Sequence, residues 1–425
     1  MTAIVGIINK QGVAFAADSA ATHTVSSTRK ITNHTNKIFE LSRVHPVGVA
    51  LCGSLAFEGV EWEDIIKMYR KSIGDKSLDT VDDYARDFWN FVRTTILSRF
   101  TKEQEEESKY VIRRFLKEAV DSFDEKLKAE GKDIEKASDK EVIDAILSFV
   151  QMIDKQYEGK KMAEDFKDYS YEKYMKYSSA QFDELLKDLT NKKDCPKDFV
   201  EKFSKSLYKV VISGTHIYLP KSQLIFWGYG ENELFPSYHA YSVSLAIDGR
   251  LKLTYDTGLK VSETKGSCVA PFAQTDVANT VVRGVDDTLR QQFYTQFNDS
   301  VSMIKEELLK GLEAAGAPDE LKKVVSGIDV SKYQGLYKKS MDDYIDANYV
   351  NKLLDMVSSL GKEDLGDMAE NLVRMTCLKR HITTDEETVG GPVDVAVITK
   401  GDGFVWLKRK HYFSADINHR YFERN

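Results

Sequence analysis

The N-terminal segment constrains the fold more than any other part of this chain. Residues 3–8 and 13–17 are apolar segments separated by the polar turn Asn9–Gly12, a pattern that predicts a β-hairpin. Both segments are apolar at successive positions, so each strand should be covered on both faces. Such a chain buries its own beginning, although termini usually lie at the surface. The hairpin sets the start of one strand beside the end of the other, so we expect Thr2 and Asp18 to be neighbours.

The hydroxyl residue at position 2, Thr2, could act as a nucleophile at this buried terminus. Small second residues such as Thr permit removal of Met1, after which Thr2 carries both a hydroxyl and a free α-amine. An α-amine has a pKa of ~7.7–8.0 in model peptides, so a useful fraction is neutral near pH 7 and can act as a base. Threonine paired with its own amine is a known form of activated nucleophile. Because many chains begin with Met-Thr, the prediction needs support from other residues.

Further residues supply the other groups that this nucleophile needs. Residues 36–41 predict a third strand that Lys37 opens, and residues 47–54 predict a fourth strand that runs into a turn at Gly53. Helical spacing then predicts a helix that begins near Phe57. An acid, a cation and a backbone N–H at a turn could together stabilise the charges that develop when the hydroxyl attacks a carbonyl.

Each of these residues also has an ordinary structural explanation. Asp18 could cap a strand, Lys37 could be a solvated lysine at a strand edge, and Gly53 could simply permit a turn. Lys30 competes with Lys37 for the role of the cation, and the apolar run behind Lys37 favours the latter. Their order and spacing along one chain favour the chemical interpretation.

In this order the residues resemble the N-terminal nucleophile (Ntn) hydrolases, and within them the proteasome β-subunit and the bacterial two-component heat-shock protease. The matching stretches are Thr2, Ala16–Ser19, Lys37, Cys52–Ser54 and Glu386–Gly391 with the strand that follows. The resemblance is good at the two ends of the chain and loose in the middle, and it indicates an uncharacterised bacterial branch with large helical insertions. It implies an α+β fold, a four-layer αββα sandwich of two antiparallel sheets.

The resemblance also implies roles for these residues. Thr2 Oγ would attack a carbonyl while the Thr2 amine takes the proton, and the Lys37 cation would lower the pKa of both groups. Asp18 would pair with Lys37, and the Gly53 N–H would stabilise the oxyanion. Tentative substrate-binding residues are Ser19, Ser54 and Gly390.

The C-terminal and central matches are less regular. Glu386 is the tentative supporting acid because of its spacing to the Gly-Gly pair, and the adjacent Asp385 is an alternative. Val389 stands where the family has a serine. The family's central glycine-serine motif has only a weak candidate at Gly266-Ser267, so Gln274 or Thr275, near an expected helix start at 271–276, could take its place.

Composition narrows the class of protein. The chain has 425 residues, 42% of them hydrophobic and 30% charged, with a net charge of −7, which disfavours a nucleic-acid partner bound by electrostatics. No run approaches the ~20 apolar residues of a membrane span, and the N-terminus does not resemble a signal peptide. Four scattered cysteines are typical of reduced thiols in the cytoplasm rather than of disulfides or a zinc site. No motif for a cofactor or a metal is present, and we expect neither.

The chain is longer than the resembling core, and helical patterns account for the excess. The expected segments are an N-terminal core 1–101, a helical insertion 102–206, a middle core 207–285, a second helical insertion 286–349 and a C-terminal core 350–425. The aromatic-rich stretch 157–182 favours the core of a helical bundle over a docking surface.

The sequence therefore predicts a cytoplasmic, proteasome-like threonine hydrolase that cleaves peptide bonds through an acyl-enzyme on Thr2. Its expected partners are a peptide or protein substrate, further copies in a homo-oligomer and a possible ATP-dependent unfoldase, with no nucleic acid and no membrane. One alternative is a non-catalytic scaffold, which Val389 favours. Another is a small-molecule amidase or a transpeptidase that uses the same site.

Overall fold

The computed structural model describes residues 2–25, 28–216, 219–383, 389–411, 413, 416 and 418. The strands are β1 Ala3–Asn9, β2 Val13–Ala17, β3 Ala21–Val25, β4 Thr28–Thr32, β5 Ile38–Glu40, β6 Val47–Gly53, β7 Ala56–Phe57, β8 Val60–Glu61, β9 Ser222–Gly228, β10 Ser237–Ile247, β11 Arg250–Lys260, β12 Ser267–Ala273, β13 Asp394–Thr399 and β14 Gly403–Lys408. The helices are α1 Trp62–Ile73, α2 Val81–Phe91, α3 Thr101–Ala129, α4 Asp139–Gln156, α5 Tyr171–Thr190, α6 Phe199–Ile212, α7 Asp276–Arg283, α8 Asp287–Ala314, α9 Asp319–Ser326, α10 Val330–Ile345, α11 Asn351–Ser359 and α12 Lys362–Ile382. The chain forms two compact units, the first from Met1–Lys37 with Val261–Asn425 and the second from Ile38–Lys260.

The first unit contains a five-stranded antiparallel sheet in the order β12-β1-β2-β13-β14. β1 pairs with β2 from Ile4–Ala17 to Ile8–Val13, which confirms the predicted hairpin. All residues of both strands are buried because these strands lie in the middle of the sheet. α12 packs on β1, β2 and β13 through Leu365, Ala369 and Leu372. β1 and β2 therefore have a neighbouring strand on each side, and α12 covers one face of both.

The second unit contains its own five-stranded antiparallel sheet, in the order β11-β10-β9-β6-β5. Helices α1 and α2 share one apolar cluster with β6 and β9, in which Trp62 and Trp89 are buried. Helices α3 to α6 form a second cluster with the end of β10. Tyr157, Phe166, Tyr169, Tyr174 and Phe182 are all buried there, which confirms that the aromatic-rich stretch is core.

The described residues thus form an α+β fold with two five-stranded antiparallel sheets, two small two-stranded sheets and many helices. The layered αββα arrangement and the five segment boundaries stay predictions. No helix among the described residues is both long and apolar enough to cross a membrane.

The predicted start of the first helix is wrong. α1 begins at Trp62, whereas Phe57 and Val60 belong to the short hairpin of β7 and β8. Glu58 and Gly59 form its turn with φ values of 50° and 77°. Such values are incompatible with a helix, so the apolar residues on either side of the turn only mimic helical spacing.

Candidate functional site

Asp18 lies at the end of β2 and is fully buried. Its Oδ1 accepts a hydrogen bond of 2.9 Å from the N–H of Ala3, the residue after Thr2. Its Oδ2 accepts bonds of 3.1 Å from the backbone N–H groups of Ala20 and Gly390. The carboxylate therefore ties together the beginning of β1, the end of β2 and the segment before β13.

Lys37, the residue immediately before β5, forms an ion pair with Asp18. Its Nζ lies 2.7 Å from Asp18 Oδ1 and donates a 2.6 Å hydrogen bond to the carbonyl oxygen of Ala20. The side chain is 1% exposed, so the ion pair is excluded from water. Burying two charges is costly unless they are paired and hydrogen-bonded, a condition that these contacts meet. The competing Lys30 lies on β4, whose register pairs it with His23 of β3.

Thr2 is 5% exposed and adjoins the acid through the Ala3 amide. On its other side the ladder between β1 and β12 ends at the pair Ala3–Ala273, and the N–H of Gln274 donates a 3.0 Å bond to the Thr2 carbonyl oxygen. Ala273 has a φ of 63°, a left-handed conformation that is uncommon for alanine. Such strained residues cluster at functional sites, and this one turns the end of β12 toward Thr2.

Arg380 holds Gln274 and is itself part of a cluster of three charged residues. Its side-chain oxygen accepts a hydrogen bond from Arg380 Nη2, and Arg380 is paired with Asp276 at 3.0 Å. Lys379 lies 2.8 Å from the same carboxylate. Burial opposes ionisation of Asp276, but Lys379 and Arg380 outweigh it and hold the pKa of Asp276 below its ordinary value. The sequence indicates Gln274 as a candidate but not the ion pairs around it; the basic residues at the end of α12 were the available signal.

Cys377 is a further neighbour of the buried pair that the sequence did not reveal. Burial raises the pKa of its thiol to about 11, the charge of Asp18 adds to this effect, and Lys37 opposes it. The thiol is therefore protonated at neutral pH and is a poor nucleophile.

Ser19 and Gly390 make contacts within the site itself. The Ser19 N–H donates a 3.0 Å bond to the Gly390 carbonyl oxygen, and Ser19 Oγ donates a 2.5 Å bond to that of Pro392. Both residues thus join the end of β2 to the segment before β13. Val389, in the same segment, packs in the apolar cluster under the sheet. Substrate binding by Ser19 or Gly390 stays a prediction.

Gly53 and Ser54 belong to the second unit, so their roles opposite Thr2 stay predictions. Gly53 has a φ of 88°, and a Cβ there would lie 2.2 Å from the Lys221 carbonyl oxygen, so only glycine fits. The Ser54 N–H donates a 3.0 Å bond to the same oxygen, and Ser54 Oγ donates a 2.9 Å bond to the carbonyl of Ala56. The predicted acid Glu386 and its alternative Asp385 lie outside the described residues.

Comparisons with known proteins do not supply a family. No family model matches the chain and no curated protein matches it. Among solved structures, an Anbu (Gly-1) mutant from Hyphomicrobium sp. strain MC1 aligns at 8% identity over 100% of this chain and 94% of that chain, with a TM-score of 0.29. Anbu (ancestral beta-subunit) from Yersinia bercovieri aligns at 9% identity over 99% of this chain and 94% of that chain, with a TM-score of 0.30.

The assignment of the chain to the proteasome branch of the Ntn hydrolases is therefore wrong as a statement of family. TM-scores of 0.29 and 0.30 are too low to argue from, and no family model supports the assignment. The motifs behind it are short, and Gly-Ser and Gly-Gly turns recur in unrelated proteins because glycine permits the required backbone angles. What remains is the geometry of the site.

Proposed function

We propose that this protein is a hydrolase that cleaves amide bonds through Thr2 once Met1 has been removed. The observation that carries the proposal is the buried Asp18–Lys37 ion pair, whose shared oxygen Oδ1 also binds the amide of the residue after Thr2. Apolar side chains of similar volume would stabilise the sheet at least as well as this buried ion pair, so stability alone does not explain the pair. Beside an N-terminal threonine, the Lys37 ammonium of this pair would favour a neutral amine and stabilise an oxyanion.

The reaction follows from these groups. Thr2 Oγ attacks the carbonyl carbon of the amide, and its proton passes to the Thr2 α-amine. Collapse of the tetrahedral intermediate breaks the C–N bond, and the protonated amine gives the proton to the leaving nitrogen. Water then attacks the ester on Thr2, with the same amine as base, and releases the carboxylic acid. Peptides and proteins are the proposed substrates, and a competing amine in the second step would give transpeptidation.

The test combines intact mass with active-site labelling. The native chain should lack one methionine, and a β-lactone electrophile should form a stoichiometric adduct that peptide mass spectrometry locates on Thr2. Thr2→Ser should keep the adduct, Thr2→Ala should lose it, and the surface control Thr190→Ala should label like the native chain. Retention of Met1, or an unchanged adduct in Thr2→Ala, would overturn the proposal.

The burial of Thr2 favours one other candidate, a non-catalytic protein in which the ion pair only fixes the N-terminus. Thr2 is 5% exposed in the chain that still carries Met1, and a purely structural role would explain this burial. This candidate expects no adduct on Thr2 and expects Thr2→Ala to change stability alone. The labelling experiment therefore separates the two.

A further inference from the structure

The peptide group that joins Thr2 to Ala3 is held at both of its edges. Its N–H donates the 2.9 Å hydrogen bond to Asp18 Oδ1, and its carbonyl oxygen accepts the 3.0 Å hydrogen bond from the Gln274 N–H. Because a peptide group is planar, hydrogen bonds on opposite edges restrict the orientation of the plane and the position of the Thr2 Cα atom within it. Only rotations within Thr2 itself then remain to orient its α-amine and its Oγ. We call the Thr2–Ala3 peptide group, with Asp18 and Gln274, the Thr2 clamp.

The two sides of the Thr2 clamp are anchored in different ways. Lys37 holds the acid on one side, since its Nζ lies 2.7 Å from the same Asp18 Oδ1. Gln274, on the other side, lies in the short segment between β12 and α7. Ala273 before it has the strained φ of 63°, and Thr275 after it begins α7 without a capping hydrogen bond from its side chain. A strained segment of this kind persists only when its surroundings fix it.

Arg380, near the end of α12, fixes this segment. Its Nη2 donates one hydrogen bond to Gln274 Oε1 and a second, of 3.0 Å, to Asp276 Oδ1. One guanidinium nitrogen therefore joins the residue that holds Thr2 to the first residue of α7. The Arg380 side chain is 14% exposed and Gln274 is 9% exposed, so water competes little for these contacts. Because α12 packs on β1 and β2, Arg380 is itself held against the sheet that carries Thr2.

Lys379 separates the charge of this cluster from its contact with Gln274. Its Nζ lies 2.8 Å from Asp276 Oδ2 and 3.9 Å from Asp286 Oδ2. Lys379 thus shares an acid with Arg380, but among the described residues it makes no hydrogen bond to Gln274. Loss of either cation removes one positive charge beside Asp276, whereas only loss of Arg380 frees Gln274.

We propose that Arg380 is a positioning residue for the nucleophile. Through Gln274 it fixes the carbonyl edge of the Thr2 clamp and so sets the directions of the Thr2 α-amine and Oγ. This inference rests on the reaction proposed for Thr2 and adds to it a residue that acts through another. A reacting group misplaced by an ångström can lose about 100-fold in rate. A looser clamp should therefore slow the attack by Thr2 without weakening the binding of an electrophile.

The kinetics of β-lactone labelling test this role in the full chain. Arg380→Met should lower the limiting rate of adduct formation on Thr2 about tenfold and leave the half-saturating concentration within about twofold. Gln274→Ala removes the Oε1 acceptor, keeps the backbone N–H and should cause a similar loss. The double variant R380M/Q274A should be no slower than either single variant, because both changes remove the same contact. Lys379→Met is the matched control and should label within about twofold of the native rate.

Hydrogen exchange measured by NMR tests the Thr2 clamp without any reaction. In Arg380→Met the Gln274 N–H should exchange about tenfold faster, because its hydrogen bond to the Thr2 carbonyl oxygen opens more often. The Ala3 N–H, on the Asp18 side, should stay as protected as in the native chain. Thermal unfolding checks that each variant is folded at the assay temperature.

The outcomes separate this inference from the proposed reaction. A native chain that forms no adduct on Thr2 would overturn the reaction and the role of Arg380 with it. An adduct that forms at the native rate in Arg380→Met would overturn only the role of Arg380. Losses that add in R380M/Q274A, an equal loss in Lys379→Met or unchanged exchange of the Gln274 N–H would also overturn that role.

Discussion

At the residue scale, the Asp18 carboxylate fixes the position of the N-terminal strand through hydrogen bonds. Four donors converge on its carboxylate: the N–H groups of Ala3, Ala20 and Gly390, and the ammonium of Lys37. Removing one partner of a buried, hydrogen-bonded pair leaves the other charge without compensation. Removing Asp18 also leaves three backbone donors without their acceptor, so the acid matters more than the cation.

Asp18→Ala should therefore lower the free energy of unfolding by about 3–5 kcal/mol. Lys37→Met should cost less, because the carboxylate keeps its three backbone donors. Urea denaturation followed by circular dichroism measures both changes. The control is Lys67→Ala, which breaks the exposed Lys67–Glu63 pair on α1 and should cost less than about 1 kcal/mol. A cost for Asp18→Ala as small as that of the control would contradict the importance given to this pair.

Glu58 is a second buried acid, in the turn between β7 and β8. Burial raises its pKa to about 8, the charges of Glu107 and Glu103 add to this effect, and a hydrogen bond from the Ala246 N–H opposes it. Glu58 is thus mainly protonated in the folded protein at neutral pH. Because the unfolded chain releases this proton near pH 4.5, the folded state binds the proton more tightly.

The contribution of Glu58 to stability should consequently fall as the pH rises from about 4.5 through about 8. Glu58→Gln keeps an oxygen for the Ala246 N–H and removes the ionisation, so it should flatten this dependence and stabilise the protein at pH 8.5. Urea midpoints at pH 5.5 and 8.5 measure the effect. Burial raises the pKa of Glu107 to about 7, so E58Q/E107Q should lose more of the fall in stability between pH 5.5 and 8.5 than Glu58→Gln does. A slope unchanged in Glu58→Gln would refute this account.

At the scale of elements, the sequence predicts strands and helices well where local patterns decide them. The β1–β2 hairpin follows from two apolar runs around a polar turn, and the strand predicted over residues 47–54 is observed as β6. The start of α1 was misplaced because Phe57 and Val60 flank a two-residue turn that periodicity does not resolve. The site around Gln274 was only half predicted. Alanine rarely adopts a left-handed backbone, so the conformation of Ala273 could not be predicted from its residue type. The contact between Arg380 and Gln274 could not be predicted because 106 residues separate them in the sequence.

Helices of one unit should differ sharply in how much each side chain stabilises the fold. Leu372 of α12 is buried against the central strands, so Leu372→Ala should lower the free energy of unfolding by about 2–5 kcal/mol. Leu308 of α8 is 52% exposed, so Leu308→Ala should cost less than about 0.5 kcal/mol. Both values are best measured at low protein concentration, where self-association does not contribute. Equal costs would mean that α8 is covered within a single chain.

At the scale of the whole molecule, the two units are built differently from the chain. The second unit is one continuous stretch, whereas the sheet of the first combines β1 and β2 from the N-terminus with β12, β13 and β14 from the last part of the sequence. The sequence could not reveal this division. β6 is as apolar as β1 and β2, yet it pairs with β5 and β9 rather than with β2. Pairing partners are a property of packing between distant segments, which local patterns do not contain.

The continuity of the second unit predicts that residues 38–260 fold when produced alone. This stretch contains all five strands of its sheet and both of its apolar clusters, so no strand loses a partner when the rest of the chain is removed. It should show a cooperative urea transition and dispersed amide resonances. Residues 261–425 are the matched control. They lack β1 and β2, which separate β12 from β13 in the sheet, and should therefore stay unfolded. A fragment 38–260 without a cooperative transition would show that the second unit needs the first in order to fold.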